Sequence, residues 1–352
     1  MKSIVHLTAN IETVEKYLHS QSWLKTGEKI TSTEVPGDGN MNFTLRVKTN
    51  RRSFILKQSR EYVEKYPQVE APVTRTLREA EFYGLVSGHS NLKSKMPKLL
   101  KVDEQNYVLF LEDLGEATDY TFLYEKGQIL NDDELAEIIT FAADLHTKLT
   151  RQDSKKNLPN RKMRELNHKH IFIYPFLEEN GLDLDAVLPG LQKVAEPFKS
   201  DENLKGKIEK LGKRYLEEGN SLLHGDYFPG SWLKSTDGIR IIDPEFCFFG
   251  EPEFEIGVTI AHLNMANQPE EIVQKALRYY KERAPLDEKL RQQYTAVEIF
   301  RRILGLAQLP LTIPLQKRQE LLNESFEVLT KADYSELPSA IYHHKNLSIY
   351  ER

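Results

Sequence analysis

The chain has 352 residues, 39% of them hydrophobic and 29% charged, with a net charge of -5 and a single cysteine, Cys247. This is a globular composition with enough length for two lobes. It excludes a broad basic surface for nucleic acid, an internal disulfide framework and a cysteine metal cluster.

The first residues, MKSIVHLTANIETVEKYL, lack the apolar run and small-residue cleavage site of a signal peptide. No apolar run approaches the ~20 residues that span a bilayer. A cytoplasmic protein without a membrane segment is the expectation. Cys247 lies among Phe246, Phe248 and Phe249 and reads as a small buried hydrophobe.

In chain order, residues 11–24 carry helical spacing, with Ile11, Val14, Tyr17 and Leu18 on one face. A polar turn, Gly37-Asp38-Gly39-Asn40, precedes a strand over Asn42 to Val47, and a second strand follows over Ser53 to Gln58. Strand, turn and strand with a glycine-rich turn in front can place backbone N–H groups over phosphates. Lys57 ends the second strand's apolar run, where a lysine is normally solvated. A phosphate-holding lysine in such a strand needs a helix glutamate. The helix predicted over Val73 to Val86 supplies Glu79 and Glu81, about 200° apart, so only one can face Lys57. Tyr62 to Pro67 reads as a loop. Two further strands, 96–102 and 107–111, end at the breaker Glu112-Asp113-Leu114-Gly115, where a lobe boundary is expected.

Residues 132–149 form a helix capped by Asp132 or Asp133, with Leu135, Ile138, Ile139, Ala142, Leu145 and Leu149 on one stripe. His146 beside that stripe reads as a packing residue. Residues 151–215 read as a helical insertion, with helices over 182–187 and 204–215. The basic run 161–170 resolves into no element, and His168 and His170 lack a third ligand for a metal.

The stretch 222–257, LLHGDYFPGSWLKSTDGIRIIDPEFCFFGEPEFEIG, organises the rest. Two short strand runs flank Ser235-Thr236-Asp237-Gly238, whose Asp-Gly pair favours a hairpin. The implied register pairs Lys234 with Ile239, Leu233 with Arg240 and Trp232 with Ile241. It returns Asp243 beside Ser231, just after Asp226. In an extended Asp243-Pro244-Glu245, both carboxylates share one side. The result is an acidic basin of Asp226, Asp243 and Glu245, for which a divalent ion is the natural filling. Kinases arrange such parts as a base, a loop ligand and a later metal ligand. Here these are Asp226, Ser231 and Asp243.

Helices follow over 258–265 and 272–283. A third apolar segment, 297–307, carries Arg301 and Arg302. Arginine stays charged, so at least one of the two should face a cleft or a carboxylate. A last helix begins near 316.

His224-Gly225-Asp226 and Asp243-Pro244-Glu245-Phe246 resemble the aminoglycoside phosphotransferase superfamily, and the longer match is to methylthioribose kinases. Gly230-Ser231, Phe249-Gly250, Glu255-Ile256-Gly257 and the arginine pair before Leu304-Gly305-Leu306-Ala307 fit that family. The resemblance covers about Glu34 to Ala307. It implies an α+β, protein-kinase-like fold of two lobes: a small antiparallel-sheet lobe, 1–115, and a larger helical lobe, 116–352. It implies ATP and Mg2+ as cofactors and a methylthioribose-like sugar as acceptor, and its members are often homodimers. It makes Gly37, Asp38, Gly39 and Asn40 the phosphate turn and chooses Glu79 as the partner of Lys57. It brings adenine to the C=O of Glu112 and the N–H of Leu114. Asp226 becomes the base, with Asp243, Glu245 and Ser231 on the metal and Arg301 and Arg302 on the sugar. Tyr227-Phe228-Pro229 departs from the family's usual Leu-His-Thr, so Tyr227 is expected at the substrate border. Kinases of choline, homoserine or aminoglycosides, and an inert nucleotide-binding module, are the alternatives.

Overall fold

The computed structural model describes residues 4–37, 39, 41–154 and 158–331. Asp38 and Asn40 of the expected phosphate turn lie outside the described residues.

Helix α1 (Ile11–Ser20) starts where the Asn10 side chain accepts the Thr13 N–H at 3.0 Å. Strands β1 (Ile30–Glu34), β2 (Phe43–Thr49) and β3 (Ser53–Gln58) follow. Next come a small hairpin, β4 (Tyr62–Val63) and β5 (Tyr66–Glu70), then helices α2 (Arg75–Val86) and α3 (Ser90–Lys93), and strands β6 (Leu99–Asp103) and β7 (Val108–Glu112). The main sheet is antiparallel, in the order β1-β2-β3-β7-β6. Side chains alternate along a strand. Leu45, Val47, Phe54, Leu56, Val108 and Phe110 therefore join Val14, Tyr17 and Leu18 of α1 in one core. Lys57, one residue after Leu56, points to the other face, where α2 lies. The hairpin β4–β5 replaces the loop expected over 62–67. Its register shifts at Tyr62/Val63, so no clean alternation marks it.

After the breaker at Glu112 to Gly115, β8 (Ala117–Asp119) leaves the main sheet and pairs with a later hairpin. Helix α4 (Asp132–Lys148) takes its cap from Asn131, whose side chain accepts the Asp133 N–H, and not from Asp132 or Asp133. The insertion holds α5 (Arg151–Ser154), α6 (Arg161–Phe172), α7 (Leu184–Val187), α8 (Leu191–Ser200) and α9 (Glu202–Tyr215). Sequence periodicity misses α6 because its buried face, Met163, Arg164, Asn167, Ile171 and Phe172, is partly polar. Arg164 is buried by donating to the carbonyls of Tyr215 and Glu217.

The central stretch forms β9 (Ser221–Leu223), β10 (Trp232–Ser235), β11 (Gly238–Ile241) and β12 (Phe248–Gly250). The hairpin β10–β11 has the expected register and adds the pair Ser235–Gly238. Antiparallel pairing of β9 with β12 sets Leu223 opposite Phe248. The loops after β9 and before β12 thus meet. Helix α10 (Pro252–Met265) is apolar almost all round and nearly wholly buried, as a central helix must be. It is flanked by α11 (Glu270–Lys281) and α12 (Glu288–Leu304), and α13 (Leu315–Thr330) closes the described chain. At Gly257 a Cβ would lie 2.7 Å from Cβ of Tyr294, so α10 and α12 approach closely only because this residue is glycine. Among the described residues, no helix is long and apolar enough to cross a membrane.

Candidate active site

Lys57 sits between two carboxylates. Its Nζ lies 2.6 Å from Glu79 Oε2 and 2.6 Å from Asp243 Oδ1. Burial alone would pull its pKa down, but Asp243, Glu79 and Glu245 outweigh that and hold it above the ordinary lysine value. The ammonium therefore stays charged. The choice between the two helix glutamates is settled: Glu79 is fully buried, whereas Glu81 pairs with Arg78 at 3.0 Å and is 43% exposed.

The loop after β9 is held from four sides. Gly225 has φ +86, and a Cβ there would sit 2.2 Å from the Phe246 carbonyl oxygen, so no other residue fits. His224 Nε2 donates to the Ile242 carbonyl at 2.8 Å, tying this loop to the residue before Asp243. A carbonyl can only accept, so Nε2 carries the proton. Burial keeps this imidazole's pKa below its ordinary value. Glu255 of α10 accepts the N–H groups of His224 (3.2 Å) and Gly225 (2.8 Å) and the Nε2–H of His146 (2.9 Å). Ser231 Oγ donates to the Asp226 carbonyl at 2.7 Å. The expected metal ligand Ser231 is thus a buried tie within the loop. Asp226 is left with its side chain 25% exposed and 3.8 Å from Arg302 Nη2. Burial pushes its carboxyl up, while Arg302 and Arg301 pull it back.

Tyr227, expected at the substrate, turns the other way. It is buried, its hydroxyl donates to the Ile138 carbonyl at 2.7 Å, and its ring stacks on Phe141. The residue on the open side is Phe228, half-buried, over the Arg302 guanidinium at 4.9 Å and beside His262 at 5.1 Å.

The acidic basin is neutralised by the protein's own cations. Asp243 has φ +63 and a 3-10 turn, Pro244–Phe246, follows it, so the alternation assumed for Asp243 and Glu245 does not exist. Glu245 is buried: its Oε2 accepts Asn42 Nδ2 at 2.7 Å and lies 3.4 Å from Arg75 Nε. Glu245 is therefore not displayed as a metal ligand. Asp243, with its side chain 49% exposed, is the open carboxylate. Among the described residues no group of three or more His, Cys, Asp or Glu side chains is arranged to hold a metal. Magnesium still fits here, because it commonly takes one or two protein carboxylates and fills its shell with water and substrate phosphates.

The foot of the glycine turn is fixed by Arg75, which donates to the Asn42 side chain and to the carbonyls of Met41 and Tyr62. Gly37 has φ +64. The connector after β7 is pinned by Arg46, which bonds Asp113 at 3.1 Å and the Gly115 carbonyl at 2.8 Å. Glu112 and Leu114 are half-buried there, and the Glu112 N–H donates to Lys98 O at 2.9 Å to close β6 against β7.

Arg301 and Arg302 are both buried and both bound to Glu298, one helical turn earlier. Sequence reasoning missed Glu298, although its spacing of three and four residues from the pair is the signal for such contacts. It also missed the anchoring roles of Glu255 and Arg75 and the open placement of Phe228.

Residues 32–292 match the phosphotransferase enzyme family. Among curated proteins, the chain is 26% identical to the methylthioribose kinase of Exiguobacterium sibiricum over 255 residues, 69% of this chain and 63% of that one. It is 26% identical over 254 residues to methylthioribose kinase 1 of Oryza sativa, covering 68% of this chain and 57% of that one. The match thus spans less than two thirds of these relatives' length. Among solved structures, the choline kinase LicA of Streptococcus pneumoniae superposes with a TM-score of 0.53 at 14% identity, over 90% of this chain and 98% of that one. That likeness shows the fold, a kinase-like arrangement of an antiparallel sheet followed by a helical part. With three quarters of its length matched on that fold, the chain belongs to the phosphotransferase enzyme family.

Proposed function

We propose that this protein transfers the γ-phosphoryl group of ATP to a hydroxyl of a small sugar-like acceptor, with methylthioribose the first candidate. The observation that carries the reading is the joining of two loops: His224 ties the Asp226 loop to Ile242, and the next residue, Asp243, bonds Lys57. A base and a phosphate-holding lysine thereby belong to one rigid unit.

Asp226 accepts the proton of the acceptor hydroxyl as its oxygen forms a bond to the γ-phosphorus, and the bond from that phosphorus to the bridging oxygen of ADP breaks. Burial raises the Asp226 carboxyl towards the working pH, which suits a base. Lys57 steadies the phosphates and Glu79 holds Lys57 in place. Asp243 would hold magnesium delivered with the nucleotide, and the ion would neutralise charge on the phosphate oxygens. The turn at Gly37 to Asn40 would cover the phosphates, and the Glu112 carbonyl and Leu114 N–H would meet adenine. Arg301 and Arg302 would contact the acceptor, with Phe228 in the border role first expected of Tyr227. In this reading the lobe boundary lies near Gly115 and the protein works on ATP in the cytoplasm.

The test is ATP turnover with magnesium against methylthioribose, simple pentoses, choline, homoserine and an aminoglycoside. Asp226→Asn should lower turnover by roughly 10²–10⁴-fold and leave ATP binding intact. Unchanged turnover in that variant would remove Asp226 from its role, and turnover on choline alone would move the substrate away from sugars.

A further inference from the structure

We propose that Glu298 is a positioning residue for the acceptor side of the site: it satisfies both arginines so that Asp226 stays free to act as base. The proposal rests on the phosphoryl-transfer reading above and adds a residue that the reading does not use.

Glu298 is almost wholly buried on α12. Its Oε1 accepts Arg302 Nε at 2.6 Å and His262 Nε2 at 3.1 Å, and its Oε2 accepts Arg301 Nη1 at 3.1 Å. His262 is in turn fixed by Tyr124, whose hydroxyl lies 2.5 Å from Nδ1. With Nε2 donating to a carboxylate and Nδ1 left for the tyrosine, His262 is a neutral spacer; burial lowers its pKa to about 4. His170, which feels both arginines, is likewise lowered to about 4 by burial. Neither histidine adds charge near neutral pH.

The charge balance decides the role. Among the described residues, Arg301 and Arg302 form ion pairs with Glu298 and Asp226 only. The Arg302 contact with Asp226 is long, 3.8 Å, while that with Glu298 is 2.6 Å. Glu298 therefore takes most of the pairing that two buried cations demand. Remove its charge, and Asp226 is the one carboxylate left for both. Arg302 would then close on the group that must receive the acceptor's proton. The same bonds fix the guanidinium planes. Arg302 lies over the Phe228 ring at 4.9 Å, and Arg301 keeps a buried Nε–H without a partner. Tyr124, His262, Glu298 and the two arginines form one continuous chain of contacts ending at Asp226.

The experiment is steady-state kinetics of the whole chain with ATP and the acceptor that the parent protein uses best. For Glu298→Gln, the KM for the acceptor should rise at least about tenfold and kcat should fall, with the KM for ATP within about twofold of the parent. Glu298→Asp, which keeps the charge, should recover part of the loss. In an Arg301→Ala/Arg302→Ala background, adding Glu298→Gln should cost less than about twofold more, because its targets are gone. A general packing role would raise both KM values together, or multiply its cost in that background, and either result overturns the proposal. If Glu298→Gln does not fold, the Glu298→Asp split between the two KM values decides in the same way. A parent protein that turns over no acceptor sinks the phosphotransferase reading and this proposal with it. An active parent whose Glu298→Gln variant keeps its acceptor KM sinks this proposal alone.

Discussion

Replacing Glu255 by glutamine tests how the catalytic loop is held. Both carboxylate oxygens are in use: Oε1 accepts from His224 N and His146 Nε2, and Oε2 accepts from Gly225 N. A glutamine side chain accepts on one side only, and its NH₂ must face a donor on the other. In either orientation at least one buried N–H is orphaned and opposed by a second donor. At about 1–3 kcal/mol for each unmet buried group, the loss is roughly 2–4 kcal/mol. For a chain of this length, at about 1.4 °C per kcal/mol, Tm should fall by roughly 3–5 °C. Gly225 adjoins Asp226, so a small shift there misplaces the base, and an error near 1 Å can cost about 100-fold in kcat. The pH dependence has a defined sign. Burial pushes the Glu255 carboxyl up, but hydrogen bonds from His146 and Gly225 and the nearby His224 hold it below its ordinary value. Its contribution to stability is therefore complete above the unfolded carboxylate pKa and is lost as pH falls through the folded one. Glu255→Gln should lack that segment of the pH–stability curve. Thermal unfolding followed by circular dichroism, with kcat on the same samples, reads all three. A Tm within about 2 °C of the parent and kcat within about twofold would refute the account of the loop.

Two neighbours separate packing from recognition. Tyr227→Phe removes the hydroxyl bond to Ile138 and should cost about 1 kcal/mol of stability with the acceptor KM unchanged. Phe228→Ala should raise the acceptor KM with little change in the KM for ATP, and the opposite pattern would return Tyr227 to the border of the site. Below neutral pH, His262 and His170 oppose folding, because burial lowers each to about 4 from an ordinary 6.5. The unfolded chain then binds protons that the folded one does not. Urea midpoints should fall as pH drops from about 6.5 to about 4. A His170→Asn variant with the parent's slope would remove His170 from that account.

The sequence by itself determined what depends on local periodicity. The strand Ser53–Gln58 was legible from its apolar run, and the register of Trp232 to Ile241 from its Asp-Gly turn, because side chains alternate over a few residues whatever surrounds them. Lys57 stood out for the same reason, as a charge within an apolar strand. The tertiary structure decided which charges meet. Lys57 and Asp243 are 186 residues apart, and no local period relates them. Whether Asp226, Asp243 and Glu245 share a metal, or each takes a cation from Arg302, Lys57 and Arg75, depends on where β3, α2 and α12 dock. The opposite fates of Tyr227 and Phe228 were likewise set by packing, since adjacent residues in an irregular loop have no period to follow. Local pattern reports which face a side chain takes within its own element, while the identity of its partner is fixed only when the elements pack and each buried charge must find its counter-charge.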